Sequence, residues 1–210
     1  MLKIWGRANS INVQKVLWVS EELGLFFERV DAGMQFGVVD TPEYQALNPN
    51  ALVPTIDDHG FVLWESNAIV RYLAAKYSPH DATNSLWPED LQARALADRW
   101  MDWQQMLWTK GLRDVFWTLV RTPPEQRDAA ALEAARLRTV TLLKIVENAL
   151  LGQEYLCGDE LTVADIPFGC AIHRWFALDI ERPALPMLEA YYQRLSTRPY
   201  YQEIVLQPLS

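Results

Sequence analysis

The apolar positions of this chain change period several times within its N-terminal third. Residues 2–5, Leu-Lys-Ile-Trp, read as a short strand. Residues 12–23 read as a helix that stops at Gly24, a residue suited to the left-handed turn that closes a helix. Residues 26–30 read as a second strand, and a short helix is expected over 42–47. Two apolar runs, 53–56 and 61–64, flank the turn-rich Asp57-Asp58-His59-Gly60 and predict an antiparallel hairpin. A helix over 66–77 follows at once.

The order β-α-β-α-β-β-α is thioredoxin-like, with a mixed four-stranded sheet. Its parallel first half needs a crossover helix, which residues 12–23 supply. The stretch Ser-Pro-His-Asp-Ala-Thr-Asn-Ser-Leu-Trp-Pro, residues 78–88, then loses periodicity and gathers proline, serine and asparagine. Beyond it nothing reads as a strand. Residues 91–119 read as one long helix. Thr122-Pro123-Pro124-Glu125 reads as a cap with proline in the first turn of a helix over 124–151, and further helices are expected near 185–196 and 198–206. Thr162 with Asp165 three residues on forms a carboxylate variant of the capping box, with Leu161 placed to staple onto Ile166. The expected organisation is therefore an α/β thioredoxin-like domain over 1–78, a linker over 79–88 and an all-α C-terminal domain over 89–210.

Composition narrows the partners. Half of the 210 residues are hydrophobic, enough for a substantial core, and no low-complexity tract suggests disorder. A net charge of −8 argues against nucleic acid and anionic membrane surfaces, which require a basic face. The N-terminal Met-Leu-Lys-Ile-Trp-Gly-Arg lacks the apolar core of a leader, and no apolar run of membrane-spanning length occurs, so a cytoplasmic location is expected. Cys157 and Cys170 are wrongly spaced for zinc or a redox pair, and His59, His80 and His173 lie far apart in sequence. No metal is expected.

The candidate chemistry gathers between Asn48 and Leu73. A proline at 54 fits an edge strand or a cis bond in a tight turn. A cis turn would leave the Val53 N–H and C=O free to pair with the backbone of an extended peptide ligand. Glu65-Ser66 stands at the positive end of the 66–77 helix, where N–H groups and a hydroxyl can hold a carboxylate, and Glu65 offers an acceptor to an ammonium. Together they suit an α-amino-acid head group. Taken singly, Ser66 also reads as an N-cap, Glu65 as a solvated charge and Pro54 as a turn proline.

In combination, Asn48-Pro49 followed by Val53-Pro54, a hairpin, and Glu65-Ser66-x-Ala68-Ile69-x-x-Tyr72-Leu73 resemble the glutathione-binding half of the cytosolic glutathione transferases. The resemblance runs over essentially the whole chain and points to bacterial, theta-like, serine-type members. It implies that Val53, beside Pro54, holds the cysteinyl part of glutathione and that Glu65 and Ser66 hold its γ-glutamyl part. It also makes the Thr162–Asp165 box a folding element, and implies a homodimer. Leu52 departs from the family pattern, in which a basic residue or glutamine commonly precedes Val-Pro. Arg7, Gln35 and Asn50 are candidates to meet the glycyl carboxylate instead.

The turn between the first strand and helix, Trp5 to Asn12, corresponds to the thioredoxin active-site loop. A free thiol of pKa about 8.5 is only a few per cent thiolate at neutral pH, and lowering that value by roughly two units takes about 2.7 kcal/mol. One or two hydrogen-bond donors at the sulfur can supply it. Ser10, six residues before Val16 as the catalytic serine stands in theta-like members, is the first candidate. Asn12 and Asn9 compete with it, and Ser10 also reads as the N-cap of the first helix. The turn contains neither the tyrosine of the alpha, mu and pi classes nor the cysteine of the beta- and omega-like ones.

A pocket for a hydrophobic second substrate is expected against the long helix that carries Trp100, Met101, Trp103, Met106, Trp108 and Trp117, with Trp103 and Met106 or Leu107 as leading candidates, although tryptophans at helical spacing more often serve a core or a dimer interface. Arg99 and Arg113 can approach the site, or serve as ordinary salt-bridge partners. The resemblance implies a glutathione transferase that attacks a small electrophile, halogenated substrates included. Alternatives are a non-catalytic interaction or regulatory protein on the same fold, and a glutathione-dependent peroxidase or isomerase.

Overall fold

A computed structural model of the chain describes residues 1–79 and 86–210. Strands β1 (Leu2–Trp5), β2 (Phe27–Val30), β3 (Thr55–Asp58) and β4 (Phe61–Trp64) form one sheet in the order β2-β1-β3-β4. β1 and β2 are parallel, joined by helix α1 (Ile11–Glu22), while β1–β3 and β3–β4 are antiparallel. A short helix α2 (Pro42–Leu47) precedes the hairpin and α3 (Ser66–Tyr77) follows it. The mixed four-stranded thioredoxin-like sheet is as expected, with one shift. β3 begins at Thr55 rather than Val53, because the Val53–Pro54 bond is cis and turns residues 53–54 out of the ladder.

Most of the expected linker, 80–85 with His80, lies outside the described residues. Helices α4 (Leu91–Leu107), α5 (Arg113–Phe116), α6 (Ala129–Ala149), α7 (Asp165–Ala177), α8 (Pro186–Ser196) and α9 (Pro199–Ile204) build the rest. The expected long helix runs on through α5 to Arg121, but two π-helical turns, Trp108–Leu112 and Trp117–Arg121, interrupt its α geometry. The helix expected over 124–151 starts later. Pro124–Gln126 makes one 3-10 turn, and Asp128 then caps α6 by accepting from the Ala131 N–H. A carboxylate side chain at Asp128 satisfies an end amide that the proline pair cannot.

α1 carries the junction between the two halves. Its residues are buried all round from Val13 to Ser20, and Trp18 meets Tyr201 of α9 edge-on at 4.9 Å. The expected capping box appears at α7: the buried Asp165 carboxylate accepts from the N–H groups of Leu156 (3.0 Å) and Thr162 (2.9 Å) and from Tyr191 Oη (3.0 Å). Among the described residues no helix is long and apolar enough to cross a membrane.

Candidate functional site

Two adjoining cavities lie along the C-terminal end of β1 and the hairpin. The first is small, about 50 Å³, and is built on the cis-proline corner. Buried Asn48 organises that corner: its Nδ2 donates to the Leu52 carbonyl (2.9 Å) and to Thr55 Oγ1 (3.0 Å), and its Oδ1 accepts from the Asn50 N–H (3.0 Å). Tyr44 Oη donates to the same Leu52 carbonyl at 2.6 Å. The turn is thereby held through Leu52. Among the described residues the N–H and C=O of Val53, one position on, have no partner.

The opposite wall of this cavity is Trp64, Glu65 and Ser66. Glu65 adopts φ 73°, a left-handed conformation that costs a non-glycine residue on the order of 1–3 kcal/mol. Its exposed carboxylate makes no bond to the end of α3, whose first amides therefore stay open, as helix N-termini leave them. Ser66 is buried, and beneath it lies a lysine. Lys15 of α1, 1% exposed, donates to Asn67 Oδ1 (3.1 Å) and Gln104 Oε1 (3.0 Å) and stands 3.5 Å from Ser66 Oγ. Burial, reinforced by Arg174, pushes its ammonium down to about 7, although Cys170 and Glu65 act the other way.

The second cavity, about 270 Å³, opens at the βα turn. Gly6 lets that turn close on α1, because a Cβ there would stand 2.3 Å from Val13 Cγ2. Ser10 follows in an extended conformation, its hydroxyl unused by its own helix, and it lines the cavity with Asn9 and Asn12. The N-cap reading of Ser10 is thus not what its side chain does. Asn9 spends its amide on Ser210 Oγ (2.6 Å), whereas Asn12 borders both cavities, as do Leu52 and Val53. Arg7 lines the large cavity and Asn50 the small one, while Gln35 sits exposed on a 3-10 turn and borders neither.

The far wall differs from the leading sequence expectation. Trp103, Met106 and Leu107 do not line this cavity: Leu107 is fully buried, and Trp103 packs edge-on against Trp100 at 5.3 Å beside a separate recess with Ile145. Trp108, Arg113, Phe116, Trp117 and Arg121 take their place. Trp108, Arg113, Trp117 and Arg121 are five, four and four residues apart, a spacing that drifts around an α-helix of 3.6 residues per turn. The wider i→i+5 turns at 108–112 and 117–121 keep them on one face. The first of these turns also packs close to α6, where a Cβ on Gly111 would stand 2.6 Å from Thr139 Oγ1.

Arg174 closes the floor. It is 4% exposed, donates to Gln14 Oε1 (3.0 Å) and to the carbonyls of Cys170 (3.1 Å) and Asn9 (3.3 Å), and so buttresses the turn that carries Ser10. Neither cysteine borders the cavity, and burial pushes the thiols of Cys157 and Cys170 up to about 11 and about 12. Lys15, Gln104, Phe116, Arg121 and Arg174 were not anticipated from the sequence, whereas Trp108 and Trp117 stood among the aromatics expected on the long helix. Lys15 and Arg174 left a signal: each is the lone cation in the apolar run of its helix, and the residues three and four positions away, Ile11, Asn12, Trp18 and Val19 for Lys15 and Cys170, Ala171, Ala177 and Leu178 for Arg174, include no acid.

The family model for the glutathione S-transferase N-terminal domain matches residues 1–75, and that for the C-terminal domain matches residues 110–199. Glutathione S-transferase GstB of Escherichia coli K12 is 40% identical over the full length of both chains. Glutathione S-transferase 3 of Zea mays is 32% identical, over 97% of this chain and 93% of that one. The crystal structure of a theta class glutathione S-transferase from Xanthomonas axonopodis pv. citri, with glutathione bound, superposes with a TM-score of 0.92 at 48% identity, covering 100% of this chain and 99% of the other. Full-length identity at this level, with both domain models matched in order, makes the chain a member of the glutathione S-transferase family and an enzyme.

Proposed function

We propose that the chain binds glutathione across the two cavities and activates its thiol for attack on a small electrophile. The observation that carries this reading is the continuity of the cavities through Asn12, Leu52 and Val53. The unpaired Val53 main chain borders both the niche at Glu65-Ser66 and the cavity that holds the free Ser10 hydroxyl. A γ-glutamyl group placed at α3 meets helix amides and the Ser66 hydroxyl with its carboxylate and Glu65 with its ammonium. The cysteinyl backbone then pairs with Val53, and the thiol faces Ser10 or Asn12 at the N-terminus of α1, whose dipole favours the thiolate. Of the three candidates for the glycyl carboxylate Arg7 is favoured, because its guanidinium and the Val53 side chain both lie against Gly33.

Catalysis on this reading is thiolate stabilisation and proximity. Titration calorimetry should show glutathione binding that Ser66→Ala weakens by about tenfold, the effect of one charge-assisted hydrogen bond. No heat at millimolar glutathione would sink the proposal. The Ser10 hydroxyl, free of any capping role, favours catalysis over a purely regulatory use of the fold. A glutathione peroxidase or isomerase would use the same thiolate, and a panel of halogenated, epoxide and peroxide substrates separates them. Detoxification in the cytoplasm and a C2 homodimer complete the proposal, the latter testable as elution near twice 24.2 kDa.

A further inference from the structure

The large cavity carries a charge pattern that a site for neutral hydrophobic electrophiles does not need. Arg7, Arg113, Arg121 and Arg174 all border it and no aspartate or glutamate does, in a chain whose net charge is −8. Arg113 has a carboxylate neighbour, Asp114, at 3.6 Å. Among the described residues Arg7, Arg121 and Arg174 pair with no carboxylate side chain, and the Nε of each is buried without a partner. Burial and the neighbouring Arg121 push the Arg7 guanidinium below its usual value; burial, Arg121 and Arg7 push Arg174 to about 10. The three therefore repel one another across the cavity, with Arg174 buried and Arg7 and Arg121 half-buried at its wall. An anion would relieve that repulsion. The aromatic rings in the same wall already face cations: the Arg174 guanidinium lies 6.0 Å from the Trp108 ring and 5.6 Å from Phe116, and Arg121 lies 5.9 Å from Trp117. Those rings offer faces on which a planar group can stack.

Resting on the proposed glutathione conjugation, we infer that the electrophile of this site is a flat anion, a carboxylate or similar oxyanion conjugated to the carbon that is attacked. Glutathione does not answer this charge alone. Its γ-glutamyl carboxylate belongs at α3, and its single glycyl carboxylate, if it meets Arg7, leaves Arg121, which among the described residues donates only to main-chain oxygen at Ser210, and Arg174 without a carboxylate side chain. Planar guanidinium forks match a carboxylate in two-point contact, and a field focused in a cleft of low dielectric raises the local concentration of anions. For a chloroarene the step is a substitution. The thiol proton passes to water, the thiolate sulfur pair forms the S–C bond, the C–Cl bond breaks and chloride leaves with its electron pair.

The test compares a chlorodinitrobenzoate with its methyl ester, each rate divided by that of the uncatalysed reaction with glutathione. The carboxylate should be preferred by about tenfold or more, and Arg113→Gln and Arg121→Gln should each raise its KM by about 10- to 100-fold while leaving the ester and the glutathione Kd unchanged. Arg113 is exposed at the rim, so its variant is expected to fold even where changes at Arg174 do not. Equal or better turnover of the ester, with glutathione binding intact, overturns the inference and leaves the conjugation proposal standing. Equal losses on both substrates overturn it by assigning the arginines to the thiolate, and a raised glutathione Kd does so by assigning them to the glycyl carboxylate. Absence of glutathione binding overturns both.

Discussion

The ammonium of Lys15 stands 3.5 Å from the hydroxyl oxygen of Ser66, inside the junction of α1, α3 and α4 and directly behind the niche proposed for the γ-glutamyl carboxylate. The groups around it are Ser66 and Asn67 on α3, Gln104 on α4, Glu65 at the α3 cap, and Cys170 and Arg174 on α7. With its pKa near 7, Lys15 is only partly charged at neutral pH. An arriving carboxylate favours the charged form, so binding should take up a proton between roughly pH 7 and 9. S-methylglutathione, which has no thiol proton to release, isolates the effect. Calorimetry in buffers of different ionisation enthalpy should show uptake in the wild-type chain and none in Lys15→Met. Equal values in both would mean that Lys15 does not sense the ligand.

The same lysine sets a stability trend. Its folded-state pKa lies below the ordinary lysine value, so the unfolded chain binds the proton more tightly. Stability of the ligand-free protein should therefore rise as pH climbs from about 7 towards 10.5, and Lys15→Met should flatten that rise in denaturant titrations.

Ser10 is expected to hold the thiolate. Its hydroxyl is committed to no cap and borders the cavity. Ser10→Ala should raise the pKa of bound glutathione by about one to two units and lower kcat near neutrality by about 10- to 100-fold. The reading is the thiolate absorbance of the complex against pH. An unchanged titration would move the role to Asn12, which borders both cavities, in preference to Asn9, whose amide is already bonded to Ser210.

The turn between β3 and β4 is fastened to α3 through Asp58. Its carboxylate accepts from Lys76 Nζ (2.6 Å), Tyr72 Oη (2.7 Å) and Tyr77 Oη (2.9 Å), with His59 Nδ1 at 2.8 Å. Burial alone would raise its pKa; these bonds outweigh burial and hold it well below the usual carboxylate range. With the folded value depressed, its stabilisation is present above the unfolded value, about 3.9, and is lost as pH falls through the folded one. Asp58→Asn should cost about 2–4 kcal/mol at pH 7 in denaturant titrations and much less near pH 2. A cost independent of pH would refute the charge argument.

The glutathione half was legible because its determinants are local. Asn48, Val53-Pro54 and Glu65-Ser66 act through a turn, a hairpin and a helix start that lie within one short stretch, and the sequence itself allowed a cis bond at Pro54. The helical wall was legible only in part, through Trp108 and Trp117. Trp103, Met106 and Leu107 follow from α-helical spacing, and the π turns at 108–112 and 117–121 change that spacing just beyond them. Lys15 and Arg174 stand out as lone cations in apolar runs, but what each one meets depends on packing that places α1 against α3 and α7. The cap expected at Thr122 failed for a simpler reason, since Asp128 offers the better acceptor a few residues on.

Asp165 tests the folding role of the capping box. Its carboxylate is completely buried and accepts from Leu156, Thr162 and Tyr191, so its removal in Asp165→Ala orphans several buried donors and should cost about 3–5 kcal/mol. Burial nevertheless wins over those bonds and pushes its pKa up to about 6. A carboxyl group whose folded value is raised is most favourable when protonated, and that advantage disappears as pH rises from about 4 to about 6. Asp165→Asn, a permanently neutral group of similar shape, should therefore destabilise more at pH 4 than at pH 7, the difference reaching about 3 kcal/mol. Denaturant titrations of both chains across that range read it directly. A penalty that grows with pH would show that the buried donors make the charged carboxylate the favoured form, and would reverse the order of burial and hydrogen bonding at this helix start.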